Sequence, residues 1–135
     1  PESVLLPCHA HYLAWSGIIP CMAVAPDHGS QLLKGVLEMC LLAVIEAEPS
    51  YGYEMVQKLT GAGLSLVSEG SIYPSLGRME KKGLVEGYLV ASSGGPPRKY
   101  YRITADGTAA LAGWRATWAE FADGVTKVVT GTGRE

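Results

Sequence analysis

The chain has 135 residues, 47% hydrophobic and 18% charged, with a formal net charge of −2. That length accommodates one domain with one core, and such a composition folds rather than staying disordered. A uniformly basic nucleic-acid wrapper is excluded, but a local patch is not: Ser71 to Thr104 holds six bases and two acids, against five bases and eleven acids elsewhere.

A +4 segment in an otherwise acidic chain points toward a polyanion partner, or marks a solvated basic face. The cysteines are Cys8, Cys21 and Cys40, an odd number with no CxxC pair. A disulfide scaffold or zinc ribbon is therefore not expected, and a reducing cytoplasm is. The first basic residue is Lys34, so the positive start of a signal peptide is missing. The apolar run from Val4 to Ala25 is interrupted by Pro7, His9, His11, Ser16 and Pro20, which argues against a membrane span. Cys8, His9, His11, Cys21 and His28 match no tetrahedral spacing, so neither metal nor cofactor is expected. Residues 1–29 are read as a poorly ordered leader, and a genuine start at Met22 would make residues 1–21 an upstream extension.

From Gln31 to Glu46 apolar residues fall on nearly every face, which predicts a helix buried on most sides and covered on one by another chain. Ser50 is a fair cap for a second helix, Tyr51 to about Thr60, with Tyr51, Met55, Val56 and Leu59 on one face and Gly61 and Gly63 as the stop. A third helix is predicted near Ser71 to Lys82, capped by Ser71 or Ser68, with Pro74 in the first turn and Gly83 at the end. Its inner stripe is Ile72, Leu76 and Met79; the opposite face shows Ser71, Pro74, Ser75, Arg78 and Lys82.

Two strand-like runs follow, Leu84–Val90 and Lys99–Thr104, joined by a long tip at 91–98 with basic residues at its flank. Thr104 caps a last helix whose apolar residues are Leu111, Trp114, Trp118, Phe121, Val125 and Val128. Steps of 3, 4, 3, 4, 3 form an a/d seam, which fits a partner helix or packing on the chain's own domain.

Helix, helix, helix, hairpin, helix is the order of a winged helix with an added C-terminal arm. The expected class is mainly α with a small β-hairpin (α+β): a winged helix-turn-helix domain over 30–104, a dimerisation helix over 105–130 and a tail at 131–135. The second helix of such a unit enters the DNA major groove. Ser71 and Ser75 can donate to phosphates or base edges, and Arg78 can fork onto a guanine. Tyr73 is either a phosphate contact or core. Gly94-Gly95 allows close backbone approach, Pro96-Pro97 stiffens the tip, and Arg98 and Lys99 carry charge to a phosphate strand.

Four segments, Gln31-Leu32-Leu33-Lys34-Gly35, Tyr51-Gly52-Tyr53-Glu54, SEGSIYPSLGRMEKKGLVE at 68–86 and GGPPRKYYRIT at 94–104, carry a further pattern. Together they resemble the PadR-like family of bacterial transcriptional regulators over about residues 30–130. The resemblance implies a cytoplasmic, nucleoid-associated repressor, dimeric through the last helix (Leu111, Trp114, Trp118, Phe121, Val125, Val128) with help from the first (Leu33, Leu37). It implies contacts to double-stranded DNA from Tyr51, Ser71, Tyr73, Pro74 and Arg78 and from the wing at Gly95, Arg98 and Lys99; Ser75 and Lys82 extend that set. The operator would be palindromic. Some family members line an inter-subunit pocket with a tryptophan; Trp118 falls at that position, with Trp114 one turn before it. An aromatic effector or plain dimer core are the two readings of that pair. Gly77 departs from the family's pattern, which commonly has a larger or basic residue there, and so does the long leader.

No phosphate-binding Gly loop with Lys, HExxH or GxSxG occurs, so an enzyme is not expected. A winged helix used only for protein contact is the alternative.

Overall fold

The computed structural model describes residues 28–131. The elements are α1 (His28–Ala47), β1 (Ser50–Tyr51), α2 (Gly52–Gly61), α3 (Glu69–Lys81), β2 (Val85–Ser92), β3 (Gly95–Ile103) and α4 (Ala105–Thr130). The predicted α+β class holds, with one addition: the hairpin gains a third strand, giving an antiparallel sheet in the order β1-β3-β2.

Helix α1 starts three residues earlier than predicted, taking in His28 and Gly29. Cys8, His9, His11, Cys21, Met22 and the rest of that segment lie outside the described residues. The helix is not buried all round. Leu37, Leu41, Leu42 and Ile45 form one buried stripe, Met39, Cys40 and Val44 are its shoulders, and Leu32 stands in solvent. Burial pushes the Cys40 thiol above its ordinary pKa.

Ser50 does not cap α2. It is fully buried in β1 opposite Tyr101, its hydroxyl donating to the Glu48 carbonyl (2.9 Å) and accepting from Lys58 Nζ (3.0 Å). The cap position is Tyr51, whose N–H donates to the Glu54 carboxylate at 3.3 Å. Helix α3 is capped at Ser68, so Pro74 sits in the second turn, not the first. Proline has no N–H to give the Gly70 carbonyl, and both residues are exposed. The core between α1, α2, α3 and the sheet is closed by Met55, Leu59, Ile72, Leu76, Met79, Val85, Tyr101 and Leu111.

The hairpin is longer and its tip tighter than the sequence suggests. Ser92 pairs with Gly95 across Ser93-Gly94, and Gly94 takes φ +79°. The register slips between Val90 and Ser92, which sets Pro96 and Pro97 against Ala91. Prolines survive in this central strand because β1 has only two residues and claims nothing near the tip.

Thr104 caps α4 as predicted: its Oγ1 accepts from the Gly107 N–H at 3.0 Å and lies 2.6 Å from the Gly83 carbonyl, to which it donates. Arg115 then pairs with Glu46 of α1 at 3.0 Å.

Candidate nucleic-acid interface

Helices α2 and α3 meet at a close approach. Tyr73 of α3 lies across Gly52, the first residue of α2, so a Cβ on Gly52 would sit 2.8 Å from Tyr73 Cζ. The ring is half exposed, and its hydroxyl donates to Glu69 Oε1 at 3.1 Å. Burial, then this hydrogen bond, raises the phenol above its ordinary pKa. Tyr73 thus packs against Gly52 while about half of it remains exposed.

The other α3 positions divide. Ser71 and Pro74 are exposed, but the Ser71 hydroxyl is occupied at the helix start, donating to the Ser68 carbonyl (2.8 Å) and accepting from its N–H (3.0 Å). Ser75 does not face outward: it is 3% exposed and accepts from Arg78 Nη2 at 3.0 Å. Arg78 Nε donates to Glu38 Oε2 of α1 at 3.0 Å, and Lys82 Nζ stands 4.0 Å from the other oxygen of the same carboxylate.

The wing shows alternation. Arg98, Tyr100 and Arg102 share one face of β3, while Lys99 and Tyr101 share the other. On the outer face Tyr100 stands opposite Tyr88 of β2 and Tyr51 of β1, with ring centroids 6.0 and 5.2 Å away. Tyr53 extends the row, 6.4 Å from Tyr51. Arginines close both flanks: Arg98 stacks over Tyr51 at 4.8 Å and Arg102 over Tyr88 at 4.5 Å. Arg102 also pairs with Glu86 at 2.7 Å.

Lys99 is turned away from Arg98. It crosses Gly87, where a Cβ would meet its stem, and pairs with Glu80 of α3 at 3.1 Å. That hydrogen bond raises the ammonium's pKa. As placed, Lys99 straps the wing to α3 instead of extending the charge of the tip. Gly94 rather than Gly95 is the tip glycine whose backbone demands it, since Gly95 has room for a Cβ.

Helix α4 carries an uncovered apolar face. Trp114, Trp118 and Val125 are half exposed; Phe121 and Val128 are 63% and 81% exposed. An open groove runs along its second half past Phe121, Gly124, Val125, Val128 and Val129, without either tryptophan. Two residues assigned to a partner face belong elsewhere. Leu111 and Leu37 are interior to this chain, because the first turns of α4 pack at the foot of the wing and Leu37 opens the buried stripe of α1. Leu33 only flanks that core. Among the described residues, no group of three or more His, Cys, Asp or Glu is placed to hold a metal, and no helix is long and apolar enough to cross a membrane.

Sequence reasoning overlooked Tyr53, Tyr88, Tyr100, Arg102 and Glu38. The i, i+2 spacing of Arg98, Tyr100 and Arg102 was a usable signal for the outer face. Glu38 had none, being 40 residues from Arg78.

A helix-turn-helix, a three-stranded wing and a long tail helix with an open apolar face define a winged-helix protein. The model of the transcriptional regulator PadR-like family matches residues 41–113, and the chain belongs to that family. It is therefore a transcriptional regulator and not an enzyme. It is similar to a PadR-like transcriptional regulator from Bacillus cereus strain ATCC 14579, with 49% identity over 73% of this chain and 96% of that one, at a TM-score of 0.66. A PadR family regulator from Eggerthella lenta DSM 2243 is 32% identical over 87% of this chain and 96% of that one, at 0.65. Bacillus subtilis PadR, solved in complex with operator DNA, shares the fold at 22% identity, covering 58% of this chain and 45% of that one, with a TM-score of 0.54.

Proposed function

We propose that this regulator is a homodimeric repressor that binds a palindromic DNA operator in the cytoplasm and releases it when a flat aromatic ligand binds near Trp114 and Trp118. The observation that carries the dimer is the apolar face of α4, left uncovered by its own chain over about four turns from Trp114 to Val128. Two copies joined there hold two copies of α3 apart, and half-sites one helical turn apart are the matching geometry. DNA binding is supported by the exposed edge of α3, by Arg98 at the wing and by the operator complex of the B. subtilis relative. Tyr51, Ser71, Tyr73, Pro74, Arg78, Lys82, Gly95 and Arg98 are the contact set; Ser75 is withdrawn from it, and Lys99 acts through Glu80.

Four of the six cations in the basic segment, Arg78, Lys82, Lys99 and Arg102, are ion-paired within the chain. That observation favours the second reading, a winged helix for protein contact alone. Genomic fragments enriched by the purified protein, titrated in a gel shift at several salt concentrations, separate the two. The DNA reading expects a selected palindrome and steep salt dependence, with weaker binding by Arg78→Ala and Arg98→Ala. No shift even at low salt supports the second reading.

A further inference from the structure

Arg78 is held by two groups that do not belong to a DNA-facing surface. Glu38, on α1, takes its Nε–H at 3.0 Å, and the Ser75 hydroxyl takes an Nη2–H at 3.0 Å. Ser75 is buried, and Glu38 has its side chain only 19% exposed while Arg78 keeps 57%. A guanidinium is a planar fork with five N–H donors. Glu38 takes the Nε–H and Ser75 takes one of the two N–H groups on Nη2. Nη1 makes no bond among the described residues. A free arginine samples many rotamers and must be ordered on binding; this one is ordered beforehand.

We infer that Glu38 and Ser75 are positioning residues that aim the free Nη1 end of Arg78 and so determine sequence specificity; this rests on the DNA-reading function proposed above. Nη1 keeps both of its N–H groups and Nη2 keeps one, enough donors for the O6 and N7 acceptors of a guanine. Glu38 has a second effect. Its charge offsets Arg78 and Lys82 together, which weakens attraction to any phosphate strand irrespective of sequence. The carboxylate therefore trades non-specific affinity for discrimination. A residue serving stability alone would lower both by unfolding the protein.

The test uses the full chain and a duplex enriched from a random pool by the unaltered protein, with a scrambled duplex of the same composition as reference. Glu38→Gln and Ser75→Ala are measured beside Arg78→Ala, and urea midpoints confirm folding. Arg78→Ala is expected to lower the ratio of selected to scrambled affinity by roughly five- to a hundredfold. Glu38→Gln is expected to bring the ratio most of the way to that floor while binding the scrambled duplex as well or better. Adding Glu38→Gln to Arg78→Ala should lower the ratio no further. Wild-type ratios in both Glu38→Gln and Ser75→Ala, beside a lowered ratio in Arg78→Ala, overturn the positioning role alone. An unchanged ratio in Arg78→Ala overturns Arg78 as a reader. A wild-type protein that enriches no duplex overturns the DNA-reading function itself, and the inference with it.

Discussion

Gly107 in the first turn of α4 packs its Cα directly against the backbone carbonyl of Leu84 at the foot of the wing. A Cβ there would collide with that carbonyl and stand 2.7 Å from Ile103 Cγ1. Neither neighbour is the loose end of a side chain. Thr104 locks the same junction, its N–H donating to the Leu84 carbonyl at 3.1 Å. The angle at which the tail helix leaves the domain is thus set by backbone meeting backbone.

Gly107→Ala is accordingly expected to lower unfolding free energy by about 1–3 kcal/mol, the usual cost of forcing atoms into a packed site. Gly113→Ala, one and a half turns along the same helix, has nothing within 4 Å and should gain roughly 0.5–1 kcal/mol from helix propensity. Urea denaturation of the two variants measures the contrast. Equal effects would mean that the first turn of α4 does not touch the wing.

Gly52 and Tyr73 couple α2 to α3 in the same manner, except that one partner is mobile. Gly52→Ala should cost about 1 kcal/mol, at the low end for overpacking, because the half-exposed ring can swing outward. In a Tyr73→Ala background the same change should cost almost nothing. A double-mutant cycle with a coupling near 1 kcal/mol is expected, and strict additivity would contradict the contact.

The order of elements was legible because each has a local signature: Thr104 before a periodic run, Gly83 after one, and paired β-rich segments. What escaped was long-range or masked by residue type. Ile72, Ser75, Leu76 and Met79 are spaced i, i+3, i+4, i+7, so Ser75 belongs to the buried stripe by geometry; its hydroxyl hid it from a hydropathy reading. Leu111 continues the α4 seam in sequence yet turns into the core, since only the fold reveals where α4 leaves the wing. The pairing of Ser50 with Tyr101 and of Glu38 with Arg78 joins residues too distant for any local rule.

Alkaline pH should destabilise the protein earlier than an ordinary surface would. Burial raises the Tyr101 phenol, burial and Glu69 raise Tyr73, and Glu80 raises Lys99. In each case the folded state holds its proton to higher pH than the unfolded chain, so the stability these three contribute is fully present below about pH 10 and falls as pH rises through the folded values. Urea midpoints should be flat only below about pH 8, fall first as the unfolded Cys40 thiol ionises ahead of the buried one, and fall further above about pH 10, with that second decline shallower in Tyr101→Phe. A flat profile to about pH 11 would show that these groups titrate alike in both states.

The strongest consequence of the proposed dimer concerns Phe121 and Val125. Both lie on the open face of α4, away from the core, so replacing them with aspartate leaves the folded protomer intact. In a dimer joined along that face, two carboxylates per chain enter an apolar contact without partners, at a cost of several kcal/mol. Light scattering should find about twice the 14.3 kDa chain mass for the unaltered protein and the single-chain mass for Phe121→Asp/Val125→Asp at the same concentration. Operator affinity should fall with it, because two half-sites are then no longer held by one particle. If the double variant keeps the doubled mass, the copies meet through another surface, and α4 is a solvent-facing arm.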